Sequence, residues 1–188
     1  MNEDAFLKMV ICNFIPNLKN INIMDTLQQL ESELEQEYKT TKKFFELYPE
    51  DKPDYAPHVK SMKMKDLAGH IAEVFAWPVV IMNTPGIDFA KGDYVPTVVN
   101  SKKELLEILD KNYQAGMEAL KKAKEADLEP SWHFANDGHI LAEWSKYGAI
   151  RQSLNQVTHH RAQLGVFYRL LDIPLPGSYG PTADSQSF

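Results

Sequence analysis

Leu154–Gly180 reads LNQVTHHRAQLGVFYRLLDIPLPGSYG, and this stretch decides the prediction of the fold. Its apolar residues recur every three or four positions, which is the period of an amphipathic helix. The proline and glycine residues near its end forbid further helix. We therefore predict a long helix from about Ile140 to Leu171 and an irregular tail after it.

Three earlier segments show the same periodicity. They run from about Asp25 to Leu47, from about Lys63 to Asn83 and from about Ser101 to Ala126. Asp25 and Ser101 are suitable helix caps, and Pro78 predicts a kink in the second segment near Phe75–Trp77. Four amphipathic helices of this length predict an all-α four-helix bundle. The connectors are long enough for a crossover, so the residues alone leave the order of the helices open.

The chain length of 188 residues fits one domain. Residues 1–23 contain an apolar run but neither the basic start nor the cleavage site of a signal peptide, so we predict a peripheral or mobile N-terminal extension. Residues 24–188 are predicted to form the bundle and its irregular tail. In the connector Asp127–Gly138, Trp132 and Phe134 flank His133 in alternation, which allows a short strand-like piece.

The composition excludes several classes of function. The net charge of −6 gives no support for nucleic-acid binding, which uses clustered Lys and Arg side chains. No stretch reaches the roughly 20 apolar residues of a membrane span. The single cysteine, Cys12, excludes an internal disulfide and cysteine-based zinc sites. We expect a cytoplasmic protein that binds neither nucleic acid nor membrane.

Two of the six histidines lie near the apolar stripes of two different helices. His70 comes three residues after Leu67 and four before Val74, and His160 has the same offset from its own apolar neighbours. Neutral imidazole is a common metal ligand, and helix bundles build metal sites from inward-facing side chains of separate helices. A hydrogen-bonded pair of core histidines fits the same spacing, so metal binding stays one of two alternatives here.

Three neighbours of these histidines are weaker candidates. Gln156 lies one turn before His160 and can share its face of the helix, but it offers only an amide oxygen. His159 points away from the apolar stripe. Glu73 lies one turn after His70, where it is a further ligand, a base or a solvated charge, and we favour the solvated charge.

The stretch Leu154–Gly180 resembles the last helix and tail of the DinB/YfiT-like family, whose members carry a histidine four positions before the second histidine of a His-His-Arg-Gly-Gln motif. Met62–Trp77 resembles the family's second helix, which supplies its first histidine, and Tyr55–Leu67 is similar to its lead-in. The resemblance covers residues 24–181. It implies an up-down-down-up four-helix bundle and, in many members, a homodimer.

The resemblance also implies a site for nickel, zinc or a similar divalent ion. Its first and last ligands fall on His70 and His160, and its second falls on Gln156, where the family has histidine. Three arrangements therefore remain open. The ion is held by His70, Gln156 and His160; or His159 or Glu73 substitutes for the missing ligand; or the site is empty and its residues are joined by hydrogen bonds.

Two functions follow from these alternatives. One is a metal-dependent enzyme, a hydrolase or a transferase that uses a low-molecular-weight thiol as its small-molecule partner. In it Arg161 fixes an anionic group of the thiol or makes a salt bridge across the bundle. The other is a non-catalytic, stress-associated bundle that binds a small molecule as a dimer and holds no metal. No catalytic residue is assigned, because the chain has no GxSxG, P-loop or HExxH motif.

Overall fold

The computed structural model describes residues 25–186, so the predicted N-terminal extension lies outside the described residues. Five helices make up most of this part of the chain. They are α1 (Thr26–Glu46), α2 (Met64–Val74), α3 (Trp77–Asn83), α4 (Lys102–Lys122) and α5 (Lys146–Leu170). The predicted caps are confirmed, since Asp25 accepts from the N–H of Gln28 and Ser101 accepts from the N–H of Glu104.

The kink predicted at Pro78 is confirmed as a break between α2 and α3. Proline lacks an N–H and its ring clashes with the carbonyl four residues earlier, which here belongs to Val74, the last residue of α2. The break also frees the carbonyl of Ala72. Asn112 on α4 satisfies it by donating from its side-chain amide at 3.0 Å.

The four bundle positions are occupied by α1, by α2 with α3, by α4 and by α5. Helix α1 packs against α4 and α5, and the α2–α3 pair packs against the same two helices. The first and second bundle helices therefore lie diagonally across the core. Side chains from all five helices are fully buried between them, including Leu30, Ile71, Ile81, Leu109 and Leu164.

Cross-helix contacts give the relative directions of the helices. Along α1 and α5, Glu33 pairs with Arg151 and the Phe44 carbonyl accepts from Tyr168, so the two sequences advance together. Along α1 and α4 they advance in opposite senses, because Tyr38 bonds to Asp110 whereas the start of α1 lies against Glu125.

The structure also contains a three-stranded sheet, so the prediction of an all-α chain is wrong in this respect. Its strands are β1 (Gly86–Asp88), β2 (Ser131–Asn136) and β3 (His139–Ser145), in the order β1-β2-β3. β1 is parallel to β2, and β2 is antiparallel to β3. The long fourth helix consequently begins at Lys146 and not near Ile140.

Hairpin geometry explains the strand that replaces the start of that helix. Asp137 and Gly138, between β2 and β3, both have positive φ angles, of 51° and 75°. An Asp-Gly pair with this backbone forms the tight turn that matches the twist of a hairpin. Ser145 then caps α5 by accepting from the N–H of Gly148, which separates strand from helix.

An aromatic cluster joins the sheet to the bundle. The ring of Phe134 on β2 lies 5.6 Å from the ring of Trp77 at the start of α3 and 5.7 Å from that of Trp144 on β3. Trp77 in turn meets His70 edge to face, with their centroids 6.4 Å apart. The sheet thus packs against His70 through Trp77. Within residues 25–186, no helix is both long and apolar enough to cross a membrane.

Candidate metal centre

His70 on α2 and His160 on α5 come together inside the bundle. Their ring centroids are 4.7 Å apart and the ring planes are nearly perpendicular, at 82°. Both histidines are only partly accessible to solvent. They meet because α2 packs against α5 and each histidine lies beside the apolar stripe of its helix. The equal offsets in the sequence therefore do correspond to one cluster.

One ring nitrogen of His70 is held by Glu73. The Nδ1 atom lies 2.7 Å from Glu73 Oε1. The other groups on this carboxylate are the Tyr94 hydroxyl, which donates to Oε1, and the Thr97 backbone N–H, which donates to Oε2 at 2.8 Å. In a neutral imidazole, a carboxylate that accepts from Nδ1–H selects the tautomer with a lone pair on Nε2, which is the tautomer that metal-binding histidines use.

The interpretation of Glu73 as a solvated charge is wrong. Its side chain is only 9% exposed, because the segment between β1 and α4 folds over it and supplies both Tyr94 and Thr97. Burial raises the pKa of Glu73, but the hydrogen bonds from His70, Tyr94 and Thr97 outweigh it and hold that pKa below its ordinary value. The carboxylate is therefore ionised beside His70.

Both ring nitrogens of His160 lie against amide oxygens. Nδ1 is 2.9 Å from Gln163 Oε1, and Nε2 is 2.8 Å from Gln156 Oε1. A neutral imidazole has one N–H, so in either tautomer one lone pair faces an oxygen. A turned glutamine amide, an imidazolium or a cation beside Nε2 removes this repulsion. The imidazolium is disfavoured, because burial lowers the pKa of His160.

The residues present fit a divalent ion in part. His70 and His160 each have one nitrogen engaged by a neighbour on the same helix, and Gln156 brings an oxygen to the nitrogen of His160 that is left. Imidazole nitrogens suit nickel and zinc, whereas an amide oxygen is a weaker ligand for them. In residues 25–186, no three His, Cys, Asp or Glu side chains converge as a metal-binding group.

The two remaining candidates lie outside the pair. His159 is exposed, and its ring contacts that of His160 at 4.9 Å between centroids. Arg161 is buried where α5 packs against α1, and it makes an ion pair of 2.6 Å with Glu37 on α1. Of its two expected roles, it has the salt bridge across the bundle.

Sequence reasoning missed Tyr94 and Gln163. Tyr94 belongs to an irregular segment whose position relative to α2 no local pattern indicates. Gln163 lies three residues after His160, a spacing at which helical side chains meet, so its contact was available from the sequence.

Two cavities differ in whether site residues line them. The larger, of about 900 Å³, lies between the first turns of α1 and α5 and is lined by none of the predicted site residues. A second, of about 460 Å³, is lined by His160 and Gln163. We place the candidate site at the second cavity, because His160 lines it.

Solved structures with this fold include three of proteins from Bacillus species. A DinB-like protein from Bacillus subtilis is 16% identical, with a TM-score of 0.62 over 80% of this chain and 96% of its own. A DinB-like protein from Bacillus cereus is 18% identical, with a TM-score of 0.62 over 80% and 95%. YfiT from Bacillus subtilis, described as a probable metal-dependent hydrolase with an unusual four-helix bundle topology, is 11% identical, with a TM-score of 0.59 over 78% and 88%. No family model and no curated protein matches the chain.

Proposed function

We propose that this chain, which has the fold of DinB-like proteins, is a DinB/YfiT-like protein that binds a divalent ion, nickel or zinc, through His70, Gln156 and His160. In this proposal it acts as a hydrolase or as a transferase that uses a low-molecular-weight thiol. One observation carries the proposal. Glu73 holds Nδ1 of His70 at 2.7 Å, as carboxylates do for metal-binding histidines, and the ring of His160 lies 4.7 Å away.

The roles of the surrounding residues follow from their contacts. Glu73 orients the ring of His70 and, in the neutral imidazole, selects the tautomer with its proton on Nδ1. Gln163 has the same role for His160 through Nδ1, and Gln156 supplies an oxygen. When bound, the ion lowers the pKa of a water or thiol so that it is a nucleophile at neutral pH.

The finer features of the DinB/YfiT-like family belong to the same proposal. An up-down-down-up order of the four bundle helices is supported by the pairing of Glu33 with Arg151 and of Tyr38 with Asp110. A homodimer, a cytoplasmic location and the absence of nucleic-acid and membrane partners remain expectations from the sequence. YfiT supports hydrolysis as the reaction class, because it is described as a probable metal-dependent hydrolase.

Metal analysis tests the proposal directly. We expect untagged protein to retain nickel or zinc near one equivalent, and chelator-treated protein to regain thermal stability when either ion is added. His70→Ala should abolish both effects, whereas His139→Ala, a change of an exposed histidine on β3, should leave them intact. Metal-free protein whose melting temperature does not respond to nickel or zinc contradicts the proposal.

A second candidate function is a metal-free, non-catalytic bundle that binds a small molecule. The direct contact of 2.8 Å between Gln156 Oε1 and His160 Nε2 favours it, because a turned amide then fills the position of a metal ion. In that case His160→Ala changes stability only through packing and there is no metal to lose. The same metal analysis separates the two functions.

A further inference from the structure

The cavity beside His160 is mostly apolar. Leu67 and Phe167 are buried and form its floor, while Met62 and Val166 line its sides and are 43% and 56% exposed. Large apolar side chains with this much exposure are usually scattered singly on a protein surface. Here two of them face one concave space of about 460 Å³, which is within the range of small-molecule sites.

The loop before α2 forms the remaining wall, and it is fixed in place. The N–H of Lys60 donates to His58 Nδ1 at 3.1 Å, and the N–H of Ser61 donates to the His58 carbonyl at 2.9 Å. Tyr55 also packs edge to face against Phe167, with their ring centroids 5.9 Å apart. Lys60 and Ser61 are therefore held at the mouth of the cavity.

The charge of the lining has one sign. Lys60 is its only formal charge among the described residues, and no carboxylate lines the cavity. Within residues 25–186, Lys60 makes no ion pair, whereas Lys63 and Lys65 nearby both pair with Asp54. A cation without a counter-ion above an apolar cavity complements a ligand with one negative charge and an apolar body.

We propose that this cavity binds a medium-chain aliphatic carboxylate, with the chain between Met62, Leu67, Val166 and Phe167 and the carboxylate at Lys60. This inference names the substrate class for the site of the proposed function. It rests on the proposed function for the reaction, whereas the binding of the carboxylate is argued from the cavity itself. His160 and Gln163 are polar groups of the same lining, so a ligand in this cavity comes to lie beside His160.

A set of three probes tests the ligand chemistry. Octanoate has the proposed chain and charge, octylammonium has the same chain with the opposite charge, and acetate has the charge without the chain. We expect saturable octanoate binding by NMR titration of chelator-treated protein. Octylammonium and acetate should each bind at least about tenfold more weakly, because each lacks one of the two interactions. Equal affinity for all three overturns the proposal.

Surface variants test the position of the ligand without disturbing the core. Lys60→Gln should weaken octanoate binding about fivefold, the size expected for an exposed ion pair, and Val166→Asn about tenfold. Lys111→Gln, at an exposed position of α4 that does not line the cavity, should leave octanoate binding unchanged. If Met62→Gln and Val166→Asn alter the oligomeric state and leave octanoate binding unchanged, the surface is a protein contact and the proposal is wrong.

The outcome for metal is separate from the outcome for the carboxylate. Octanoate binding that depends on Lys60 in protein without metal supports this inference even where the metal proposal fails. Stoichiometric nickel or zinc in a protein that does not bind octanoate overturns this inference and leaves the metal proposal standing.

Discussion

At the scale of single residues, the orientation of His70 depends on a carboxylate three positions along its own helix. Glu73 contacts His70, Tyr94 and the Thr97 backbone, so α2 and the segment after β1 meet at this one side chain. Removal of this carboxylate takes away the hydrogen-bond partner of Nδ1, so the imidazole is free to rotate or to change tautomer.

We predict that Glu73→Gln weakens nickel and zinc binding about tenfold to a hundredfold, the usual effect of losing the carboxylate behind a metal-binding histidine. Glutamine keeps the size of the side chain and can still accept from Thr97. Competition with a chromophoric chelator measures the affinity. Glu107→Gln on the surface of α4 is the matched control. If Glu73→Gln binds nickel and zinc as tightly as the unchanged protein, Glu73 does not support metal binding by His70.

The substitution Gln156→His should tighten nickel or zinc binding at least about tenfold, because histidines four apart on a helix can share one ion. Calorimetric titration of chelator-treated protein measures the change. Asn155→His adds a histidine to the same turn of α5 at an exposed position, and it should have no effect. If Gln156→His binds metal no better than the unchanged protein, the cluster does not have the geometry of a metal site.

At the scale of secondary-structure elements, Asp88 on β1 holds the turn of the β2–β3 hairpin. Its carboxylate accepts from the backbone N–H groups of Gly138 at 2.8 Å, Asp137 at 2.9 Å and Ala90 at 3.1 Å. These bonds, led by that of Gly138 and opposed by burial, lower the pKa of Asp88. The ionised form of Asp88 therefore stabilises the sheet.

The stabilisation by Asp88 should depend on pH. A folded-state pKa below the unfolded value gives stability that is present at neutral pH and is lost as the pH falls through the folded pKa. The melting temperature of Asp88→Asn should be lower than that of the unchanged protein at about pH 7, and the gap should narrow toward about pH 3. Asp51→Asn, at an exposed site, is the control. A gap that is constant over this range contradicts the prediction.

The pair of Arg161 and Glu37 joins α5 to α1. Both side chains are less than 5% exposed. Arg161 forms an ion pair with Oε2 of Glu37, and this oxygen accepts no hydrogen bond of good geometry within residues 25–186. Arg161 also donates to Thr41 at 3.0 Å, and Tyr179 from the C-terminal tail bonds to both charged partners. Removing one partner leaves the other charge buried and unpaired.

We predict that Arg161→Met lowers the free energy of unfolding by about 3–5 kcal/mol, whereas the double variant Glu37→Met/Arg161→Met is less destabilised than either single one. Arg151 and Glu33 pair across the same two helices but are about one-third exposed, so Arg151→Met should cost less than about 1 kcal/mol. Urea unfolding measures each value. Equal costs for Arg161→Met and Arg151→Met would contradict the prediction.

At the scale of the whole molecule, the bundle closes around the break between α2 and α3. A Cβ atom added at Gly116 of α4 would lie 2.2 Å from the carbonyl oxygen of Phe75, which is in the break. Glycine at this position lets the two backbones come into contact, which places Asn112 within reach of Ala72. The same approach sets the position of α2, and hence of His70, relative to α5.

The substitution Gly116→Ala should destabilise the protein by about 1–3 kcal/mol, because backbone atoms must move apart to admit the methyl group. On helix propensity alone it would be stabilising by about 1 kcal/mol, so the sign of the change is diagnostic. Lys111→Ala on the exposed side of α4 is the control. Thermal unfolding that shows Gly116→Ala to be more stable than the unchanged protein would exclude the close approach.

The local sequence determined the helices, the caps, the break at Pro78 and the inward placement of His70 and His160, because each depends on residues within a few positions of one another. The Asp137–Gly138 turn was equally local, and applying it as a hairpin signal would have predicted β3 in place of the first turns of α5. Both the all-α prediction and the start of α5 near Ile140 are wrong for this one reason.

Tertiary structure alone decided that the two histidines meet and which residues from outside their own helices surround them. Glu73 is buried because Tyr94 and Thr97 are brought over it from more than 20 positions away, a contact without periodicity or spacing to reveal it. The cavity beside His160 likewise needs Lys60 from one segment and Val166 from another. The sequence determined that two histidines face inward with polar neighbours on their own helices, and only the packing of α2 against α5 decided that they meet and beside which cavity.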